Sequence, residues 1–274
     1  MNILLTGYKG FIGQNLLKHL QSLLHNVQGF EYQPGILPNL RDIHQVIHLG
    51  AISSTIEKDV DKIISQNFEF SMRLLSLCNS LRINFQYASS ASVYGNTTNF
   101  RENAAKSPNS PYSWSKYMFD RYVESVPYSQ YKIKIQGFRY FNVYGPHEEH
   151  KSEQASPITK FSMQAKTQKK IIIFENSENY KRDFVCVHDV CKVHELMLHK
   201  QTSGIFNIGT GIATSFKEVA ELIAQKHKVP IDIVPMPKML THQYQTYTCS
   251  NNELLNKHIQ IRFQTVKEYI DNEK

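Results

Sequence analysis

Short apolar runs alternate with helical patterns along the first half of the chain. Aliphatic and β-branched side chains are concentrated in the runs 2–6, 26–31, 45–49, 84–88 and 132–140, and helical patterns occupy 14–24 and 63–81. Strands that alternate with helices in this way predict right-handed βαβ units. We therefore expect an α/β fold with a Rossmann-type, doubly wound parallel sheet covered on both faces.

One interval in this alternation is too short for a full unit. Only residues 32–44 separate the second predicted strand from the third, and Pro34, Gly35 and Pro38 interrupt them. Proline and glycine both disfavour a continuous helix. One βα element of the sheet is therefore expected to be missing or vestigial.

The pattern changes near residue 151. Pro, Asn and Ser separate shorter elements as far as residue 182, a βα pattern follows over 183–200, and a helix is predicted over 215–227. These shifts predict a dinucleotide-binding Rossmann domain over 1–150, to which 183–202 returns. A smaller C-terminal substrate-binding α/β lobe would comprise 151–182 and 203–274.

Composition narrows the class of protein. The chain of 274 residues has 41% hydrophobic and 20% charged side chains, which is typical of a globular protein. The net charge of +7 comes from scattered Lys and Arg, which favours a solvated basic surface, or a basic pocket for a pyrophosphate, over a nucleic-acid interface. The four cysteines show no CxxC spacing, so we expect no zinc site and no disulfide framework. The chain opens directly on an apolar strand and has no apolar run of roughly 18–20 residues, so a cytoplasmic protein is expected.

Three glycines follow the first predicted strand. Gly7, Gly10 and Gly13 form a GxxGxxG pattern between that strand and the next helix. Small residues here permit a tight turn and close approach of the backbone to a pyrophosphate, and the helix N-terminus supplies free N–H donors. Strand, glycines and helix occur in the order that this mechanism needs, so the segment predicts dinucleotide binding.

The end of the second predicted strand bears on the choice between NAD and NADP. Glu31 lies roughly 20 residues beyond the glycines, where a carboxylate can accept hydrogen bonds from the adenosine ribose hydroxyls. A 2′-phosphate would instead need a basic residue shortly after Glu31, and the first one is Arg41. The predicted cofactor is NAD or NADP, with NAD favoured.

A hydroxyl-rich strand end precedes a helix that carries a tyrosine and a lysine. Ser90 lies in the run YASSASVYG, and Tyr112 and Lys116 stand at i, i+4 in the segment PYSWSKY. That spacing places phenol and ammonium on one face of the helix. The ordinary pKa of a tyrosine, about 10, is too high for a base at neutral pH, so we expect Lys116 and an oxidised nicotinamide to lower it. Ser90 would hydrogen-bond the substrate hydroxyl.

These features together resemble the extended short-chain dehydrogenase/reductase family, whose members commonly epimerise, dehydrate or reduce nucleotide-sugars. The resemblance runs nearly from end to end. More narrowly, several stretches resemble the ADP-L-glycero-D-manno-heptose 6-epimerases, which make the heptose donor for lipopolysaccharide. These stretches are YASSASVYG from Tyr87, GFRYFNVYGP from Gly137, EEHK ending at Lys151, FENSENYKRDFVCVHDV from Phe174, SGIFNIGTG from Ser203 and YQTYT from Tyr244.

The resemblance implies roles for the matching positions. Tyr112 would be one catalytic acid/base and Lys151 the second, with Ser90 and Lys116 in support. The cofactor-binding positions would be Gly7, Gly10, Phe11, Ile12, Gly13, Glu31, Tyr32, Leu49, Gly50, Ala51, Ser53, Gln66, Lys116 and Val143. The substrate-binding positions would be Ser90, Asn142, Lys160, Phe174, Glu175, Ser177, Arg182 and Tyr244. Among these, Arg182 suits a pyrophosphate because a guanidinium donates two parallel hydrogen bonds.

The chain also departs from the heptose-epimerase pattern. The segment that carries basic residues for an NADP phosphate in that family is largely absent, Gln66 precedes Asn67 where an Asn pair is usual, and Lys160 stands in place of a His. These differences bear on the cofactor phosphate and on the sugar more than on the type of chemistry.

The sequence therefore predicts a nucleotide-sugar epimerase that acts by transient oxidation, with ADP-glycero-manno-heptose as the expected substrate. Within the same fold, the alternatives are a nucleotide-sugar 4-epimerase, a reductase or a sugar dehydrogenase. A 4,6-dehydratase is disfavoured because Ala91 and Ser92 stand where those enzymes usually carry an Asp-Glu pair. A non-catalytic dinucleotide-sensing regulator is the alternative from another class, and the intact Ser90, Tyr112 and Lys116 argue against it.

The helix predicted over 112–126 carries more apolar residues than the site needs. Met118, Phe119, Tyr122 and Val123 form a stripe on this helix. The stripe predicts either a homodimer surface or part of the intramolecular core, and the sequence does not choose between them.

Overall fold

The computed structural model describes residues 1–54, 57–148, 151, 154–237 and 245–272. Its strands are β1 (Asn2–Thr6), β2 (Asn26–Phe30), β3 (Gln45–His48), β4 (Asn84–Ser90), β5 (Ile135–Tyr140), β6 (Asn142–Tyr144), β7 (Ile171–Phe174), β8 (Lys181–Cys186), β9 (Gly204–Ile208), β10 (Ala213–Ser215) and β11 (Ile231–Val234). Its α-helices are α1 (Phe11–Ser22), α2 (Val60–Ile63), α3 (Phe70–Leu81), α4 (Pro111–Glu124), α5 (Pro157–Gln168), α6 (Val187–Leu198), α7 (Phe216–His227), α8 (Glu253–Asn256) and α9 (Val266–Asn272).

Six of these strands form one parallel sheet in the order β2-β1-β3-β4-β5-β9. Every residue of β3 and β5 is buried, as expected of central parallel strands that are covered on both faces. β2 lies at one edge of the sheet and is partly exposed. The predicted Rossmann-type α/β sheet is thus confirmed.

The shortened segment between β2 and β3 affects the strand order of the large sheet. β2 and β3 flank β1 directly, with Asn26 opposite Asn2 and Gln45 opposite Ile3. Residues 31–44 form no helix, and their only bridge pairs Gln33 with Ile36. The predicted loss of one βα element is therefore confirmed, and it is the strand beyond β2 that is missing.

Two smaller sheets, β10-β8-β6 and β11-β7, lie in the second half of the chain. They share a core with α5 and α7 that includes Ile158, Phe161, Ile171, Ile173, Val219 and Ile223. α7 begins at a capping box, in which the Ser215 hydroxyl accepts from the Glu218 N–H and the Glu218 carboxylate accepts from the Ser215 N–H. This reciprocal pair satisfies two N–H groups that would otherwise lack partners and starts the helix near the predicted residue.

The return to the large sheet includes α6, which lies in the predicted segment, and extends beyond that segment to β9. The sequence assigned 183–202 to the return and placed 203–274 in the smaller lobe. In the structure α6 packs against α1, and β9 then pairs in parallel with β5, with Phe206 opposite Phe138. β8 instead belongs to the three-stranded sheet. β8 and β9 are both short runs, and a short run does not indicate which sheet it will join.

A buried ion pair lies beneath the end of β4. The Arg139 Nε donates to the Asp120 Oδ2 at 2.9 Å, and the two side chains are 1% and 0% exposed. Asp120 also accepts hydrogen bonds from the hydroxyls of Ser89 (2.9 Å) and Tyr87 (3.0 Å). The carboxylate thus fixes α4 against β4 and β5.

Within the described ranges, no helix combines the length and the apolar character that crossing a membrane requires.

Candidate active site

Residues predicted for the site follow several strands at the same edge of the large sheet. Gly7 follows β1, Leu49 follows β3, Ser90 ends β4 and Asn142 lies just beyond β5. The strand order reverses between β1 and β3. Open α/β sheets bind ligands outside the carboxyl ends of their strands at such a reversal.

Two glycines of the loop are required by close contacts between segments of the backbone. Gly7 has a φ of +69°, and a Cβ on it would lie 2.6 Å from the Gly50 Cα. A Cβ on Gly13 would lie 2.1 Å from the Gly7 carbonyl oxygen. α1 then begins at Phe11 with Gly10 as its N-cap, without a side-chain cap and without an acidic residue in its first turn. Its N-terminal N–H groups suit the phosphates of a dinucleotide.

The carboxylate predicted to meet the ribose lies next to this loop. The Glu31 Oε1 accepts a hydrogen bond of 2.9 Å from the Lys9 N–H. The neighbouring Tyr32 hydroxyl is 3.3 Å from the Ser65 Oγ. Glu31 is thereby held at the end of β2, beside the loop that would carry the pyrophosphate.

The turn after β3 is held by an asparagine. The buried Asn67 side chain accepts from the Ile52 N–H (2.8 Å), donates to the Ile52 carbonyl (3.0 Å) and donates to the Ser115 Oγ (3.0 Å). It thus links the predicted cofactor turn Leu49 to Ser53 with α4. The sequence singled out Gln66, which lies one residue earlier in the π-helical turn Ile64–Glu69, and gave Asn67 no role.

Ser90 and Tyr112 meet at the end of β4. Tyr112 stands in the first turn of α4, which begins at a capping box between Ser110 and Ser113. Burial raises the pKa of Tyr112, and a hydrogen bond with the Ser90 hydroxyl opposes that increase. In the protein alone, the pKa of this phenol is therefore raised rather than lowered.

Lys116 occupies the next turn of the same helix. Its side chain is buried, and its Nζ donates to the Ala88 carbonyl at 2.9 Å. Burial lowers the pKa of Lys116 to about 8, and the Asp120 carboxylate opposes this effect. Lys116 lies behind the cavity wall and is not among the residues that line the cavity.

Lys151 lies beside Phe11, the first residue of α1. Its Nζ is 4.4 Å from the centre of the Phe11 ring, in cation–π geometry, and 3.8 Å from the Glu148 Oε1. Burial lowers the pKa of Lys151, and the Glu148 carboxylate opposes this effect. Lys151 remains 28% exposed, so its ammonium is open to a ligand in the cavity.

One cavity of about 810 Å³ joins most of the predicted catalytic and substrate-binding residues, together with three of the predicted cofactor-binding residues. Those that line it are Ile12, Ser53, Ser90, Tyr112, Asn142, Val143, Lys151, Lys160, Phe174, Ser177 and Arg182. Lining residues that the sequence did not single out include Ser89, Tyr140, Glu148, Tyr180, Phe216 and Met236. Four of these, Ser89, Tyr140, Glu148 and Tyr180, fall within the heptose-epimerase stretches, which was the available signal.

An arginine and an aromatic ring form the wall contributed by β8 and α7. The Arg182 guanidinium carbon lies 5.6 Å from the centre of the Phe216 ring, and its Nη1 donates to the Lys181 carbonyl at 2.9 Å. Arg182 is nearly buried. A guanidinium that packs over a ring can present its fork of donors to a phosphate.

One predicted substrate residue, Glu175, is not brought to this cavity. The Glu175 side chain is exposed beyond the end of β7, where its N–H donates to the Val234 carbonyl at 2.9 Å. Tyr244 lies outside the residues that the structure describes.

Comparison with known proteins identifies relatives of the whole chain. A model of the NAD dependent epimerase/dehydratase family matches residues 36–209. The Helicobacter pylori ADP-L-glycero-D-manno-heptose-6-epimerase structure is similar over 99% of this chain and 94% of its own, with 25% identity and a TM-score of 0.87. The UDP-N-acetylglucosamine 4-epimerase of Methanobrevibacter ruminantium covers 98% of this chain and 97% of its own, with 21% identity and a TM-score of 0.85. The UDP-glucose 4-epimerase of Thermotoga maritima covers 99% and 98%, with 23% identity and a TM-score of 0.83. The last two matches show a shared fold.

Proposed function

Since the chain belongs to the NAD dependent epimerase/dehydratase family, we propose that it is a nucleotide-sugar epimerase whose substrate is ADP-glycero-manno-heptose, inverted at C6. The observation that carries this proposal is the cavity wall shared by Tyr112 and Lys151. Two groups that can exchange a proton reach it from separate elements, which is what a reaction on both faces of one carbon requires.

The cofactor proposed for this site is a nicotinamide dinucleotide. Its pyrophosphate would lie on Gly7, Gly10 and the N-terminus of α1, and its adenosine ribose at Glu31. When bound, such a cofactor accepts a hydride from a sugar carbon and returns it. The family match begins at residue 36, so the glycine loop supports this assignment independently of that match.

The chain's own task is to move protons. A carbinol that is oxidised and then reduced must lose its hydroxyl proton and regain one, so one acceptor and one donor are needed. We assign these roles to Tyr112 and Lys151. Ser90 hydrogen-bonds Tyr112, and Lys116, which donates to the β4 backbone, would hold positive charge behind it.

The nucleotide end of the substrate is assigned to the far wall of the cavity. Arg182 and Lys160 both line that wall and carry charge suited to a pyrophosphate. Phe174, Ser177 and Asn142 complete the proposed binding surface. We retain 151–182 and the part of 203–274 outside β9 as the proposed substrate-binding lobe.

The choice of a heptose rests on the Helicobacter pylori match and on the sequence stretches around Lys151 and Phe174. The direct test is to identify by mass spectrometry any dinucleotide released from the purified protein, and then to incubate the protein with ADP-D-glycero-D-manno-heptose in D₂O without added reductant. Redox-neutral conversion to the C6 epimer is expected. A bound dinucleotide without conversion, alongside turnover of a UDP-hexose, would overturn the heptose assignment and leave a 4-epimerase.

Glu31 is expected to select NAD over NADP. Replacing it with Arg removes a carboxylate that can accept from the ribose hydroxyls and adds a cation suited to a 2′-phosphate. We expect affinity for NADH to fall about tenfold and affinity for NADPH to rise, since hydrogen bonds to charged groups contribute about 1.5–3 kcal/mol. Titration of NADH and NADPH fluorescence would measure both.

The matched control is Gln28→Arg, which adds the same guanidinium at an exposed position of β2 without removing a carboxylate. It should leave the ratio of the two affinities unchanged. Equal effects of the two variants would mean that Glu31 does not contact the ribose.

We also propose that α4 forms a homodimer contact. Of the predicted apolar stripe, Phe119 and Val123 belong to the intramolecular core. The Tyr122 ring packs edge-on against the Phe68 ring, with 6.3 Å between the ring centres. Tyr122 is 37% exposed and Trp114 is 50% exposed. Sedimentation equilibrium is expected to give a dimer that Tyr122→Lys dissociates, because it places a charge in an apolar contact. A wild-type chain that sediments as a monomer would contradict this proposal.

A further inference from the structure

Glu148 is a buried carboxylate at the cavity wall. It is 1% exposed and lines the same cavity as Lys151. Its Oε1 accepts from the Ser156 N–H at 2.9 Å, and its Oε2 accepts from the hydroxyls of Ser156 (2.7 Å) and Thr159 (2.8 Å). These donors belong to the start of α5, whose N-terminus carries partial positive charge.

Capping of α5 does not account for this carboxylate. Ser156 is already the N-cap of the helix, and its hydroxyl accepts from the Thr159 N–H at 3.3 Å. Burying a carboxylate is costly unless it is paired and hydrogen-bonded. Glu148 also forms an ion pair with Lys151, whose Nζ lies 3.8 Å from the Glu148 Oε1.

Among the described residues that line the cavity, Lys151 has no second partner of opposite charge. On the α1 side its ammonium faces the Phe11 ring. The other titratable or charged groups on the described cavity wall are Tyr112, Tyr140, Lys160, Tyr180 and Arg182, none of them a carboxylate. Within the described wall, Glu148 is therefore the carboxylate that acts on this lysine.

We propose that Glu148 is a positioning residue for epimerisation, which orients the Lys151 ammonium along the cavity wall and favours its reprotonation by water after Lys151 has given up a proton. This inference rests on the proposed function, in which Lys151 exchanges a proton with the sugar hydroxyl. An anchored carboxylate beside a lysine of lowered pKa keeps the group charged enough to donate and close enough to neutrality to accept.

The test is Glu148→Gln, which keeps the shape of the side chain and removes its charge. Competitive labelling with isotopic acetic anhydride, followed by peptide mass spectrometry, gives the pKa of Lys151 without reference to activity. We expect that pKa to fall by about one unit or more, because an opposite charge within 4–6 Å has been lost. The limb of the kcat–pH profile that belongs to Lys151 should move to lower pH by the same amount, with little change in KM.

Ser156→Ala is the matched control, since it removes a donor to Glu148 and the cap of α5 but keeps the carboxylate. It should lower thermal stability and leave the labelling profile of Lys151 in place. Equal shifts in both variants, or no shift in Glu148→Gln, would overturn the inference. If Glu148→Gln does not fold, Glu148→Asp withdraws the charge by one methylene and should move the profile in the same direction by a smaller amount.

The same experiments separate this inference from the proposed function. Full activity of Lys151→Met would end the assignment of Lys151 as an acid/base, whatever the labelling shows. Loss of activity in Lys151→Met together with an unchanged profile in Glu148→Gln would end only the role of Glu148.

Discussion

Replacing Lys151 with Met is expected to lower kcat about 10²- to 10⁴-fold, the usual contribution of a positioned acid or base. Methionine keeps much of the length of the side chain and its contact with Phe11, but it cannot exchange a proton. The reaction would then have a proton-handling group on one face of the sugar only. Steady-state kinetics on the nucleotide-heptose, with the epimer quantified by chromatography, would measure the loss.

Dinucleotide binding should survive this change, because the N–H groups proposed to bind its phosphates belong to the glycine loop and α1. Lys160→Met is the matched control, since it removes another cation from the same cavity wall. Its effect should appear mainly in KM if Lys160 binds the pyrophosphate. Near-normal kcat in Lys151→Met, or an equal loss of kcat in both variants, would contradict the assignment of Lys151 as the second acid/base.

Those parts of the site that depend on local chain geometry could be predicted from the sequence. The strand, glycine loop and helix of residues 2–22 are consecutive, so their order already fixed where a pyrophosphate could lie. The i, i+4 spacing of Tyr112 and Lys116 likewise placed both on one helical face. Even here the environment was not predictable, since burial of Tyr112 and the bond from Lys116 to Ala88 depend on β4.

Features that depend on distant contacts were missed. β8 and β9 are both short buried runs, and only their pairing with β6 and β5 tells the two sheets apart. Phe216 is the first residue of α7, and the local sequence does not indicate that its ring lies beside Arg182. In the sequence, Glu148 is one of two adjacent carboxylates. The hydrogen bonds that it accepts from the Ser156 and Thr159 hydroxyls, at the start of α5, indicate its special position.

Replacing Asp120 with Asn is expected to lower the free energy of unfolding by about 3–5 kcal/mol, the usual cost of breaking a buried ion pair from one side. The hydroxyls of Tyr87 and Ser89 donate to different oxygens of Asp120, and asparagine keeps one acceptor oxygen, so it can still accept from one of these hydroxyls. It leaves the Arg139 guanidinium, 1% exposed, without a carboxylate. Tyr94 and the Glu102 carbonyl still accept from Arg139, at 3.2 Å and 3.1 Å, but neither carries the opposite charge. Urea denaturation at neutral pH, followed by circular dichroism, would measure the change.

Arg121 provides the control on the same helix. Its ion pair with Glu124 spans 3.7 Å on the surface, with side chains 62% and 36% exposed, so Arg121→Gln should cost no more than about 1 kcal/mol. A double variant distinguishes loss of the ion pair from the cost of leaving Arg139 buried without its partner. Asp120→Asn combined with Arg139→Met should be less destabilising than Asp120→Asn alone, because the unpaired cation is gone. If Asp120→Asn costs no more than Arg121→Gln, the buried pair does not hold α4 on the sheet. The position of Ser89 and Ser90 in the cavity must then depend on β4 alone.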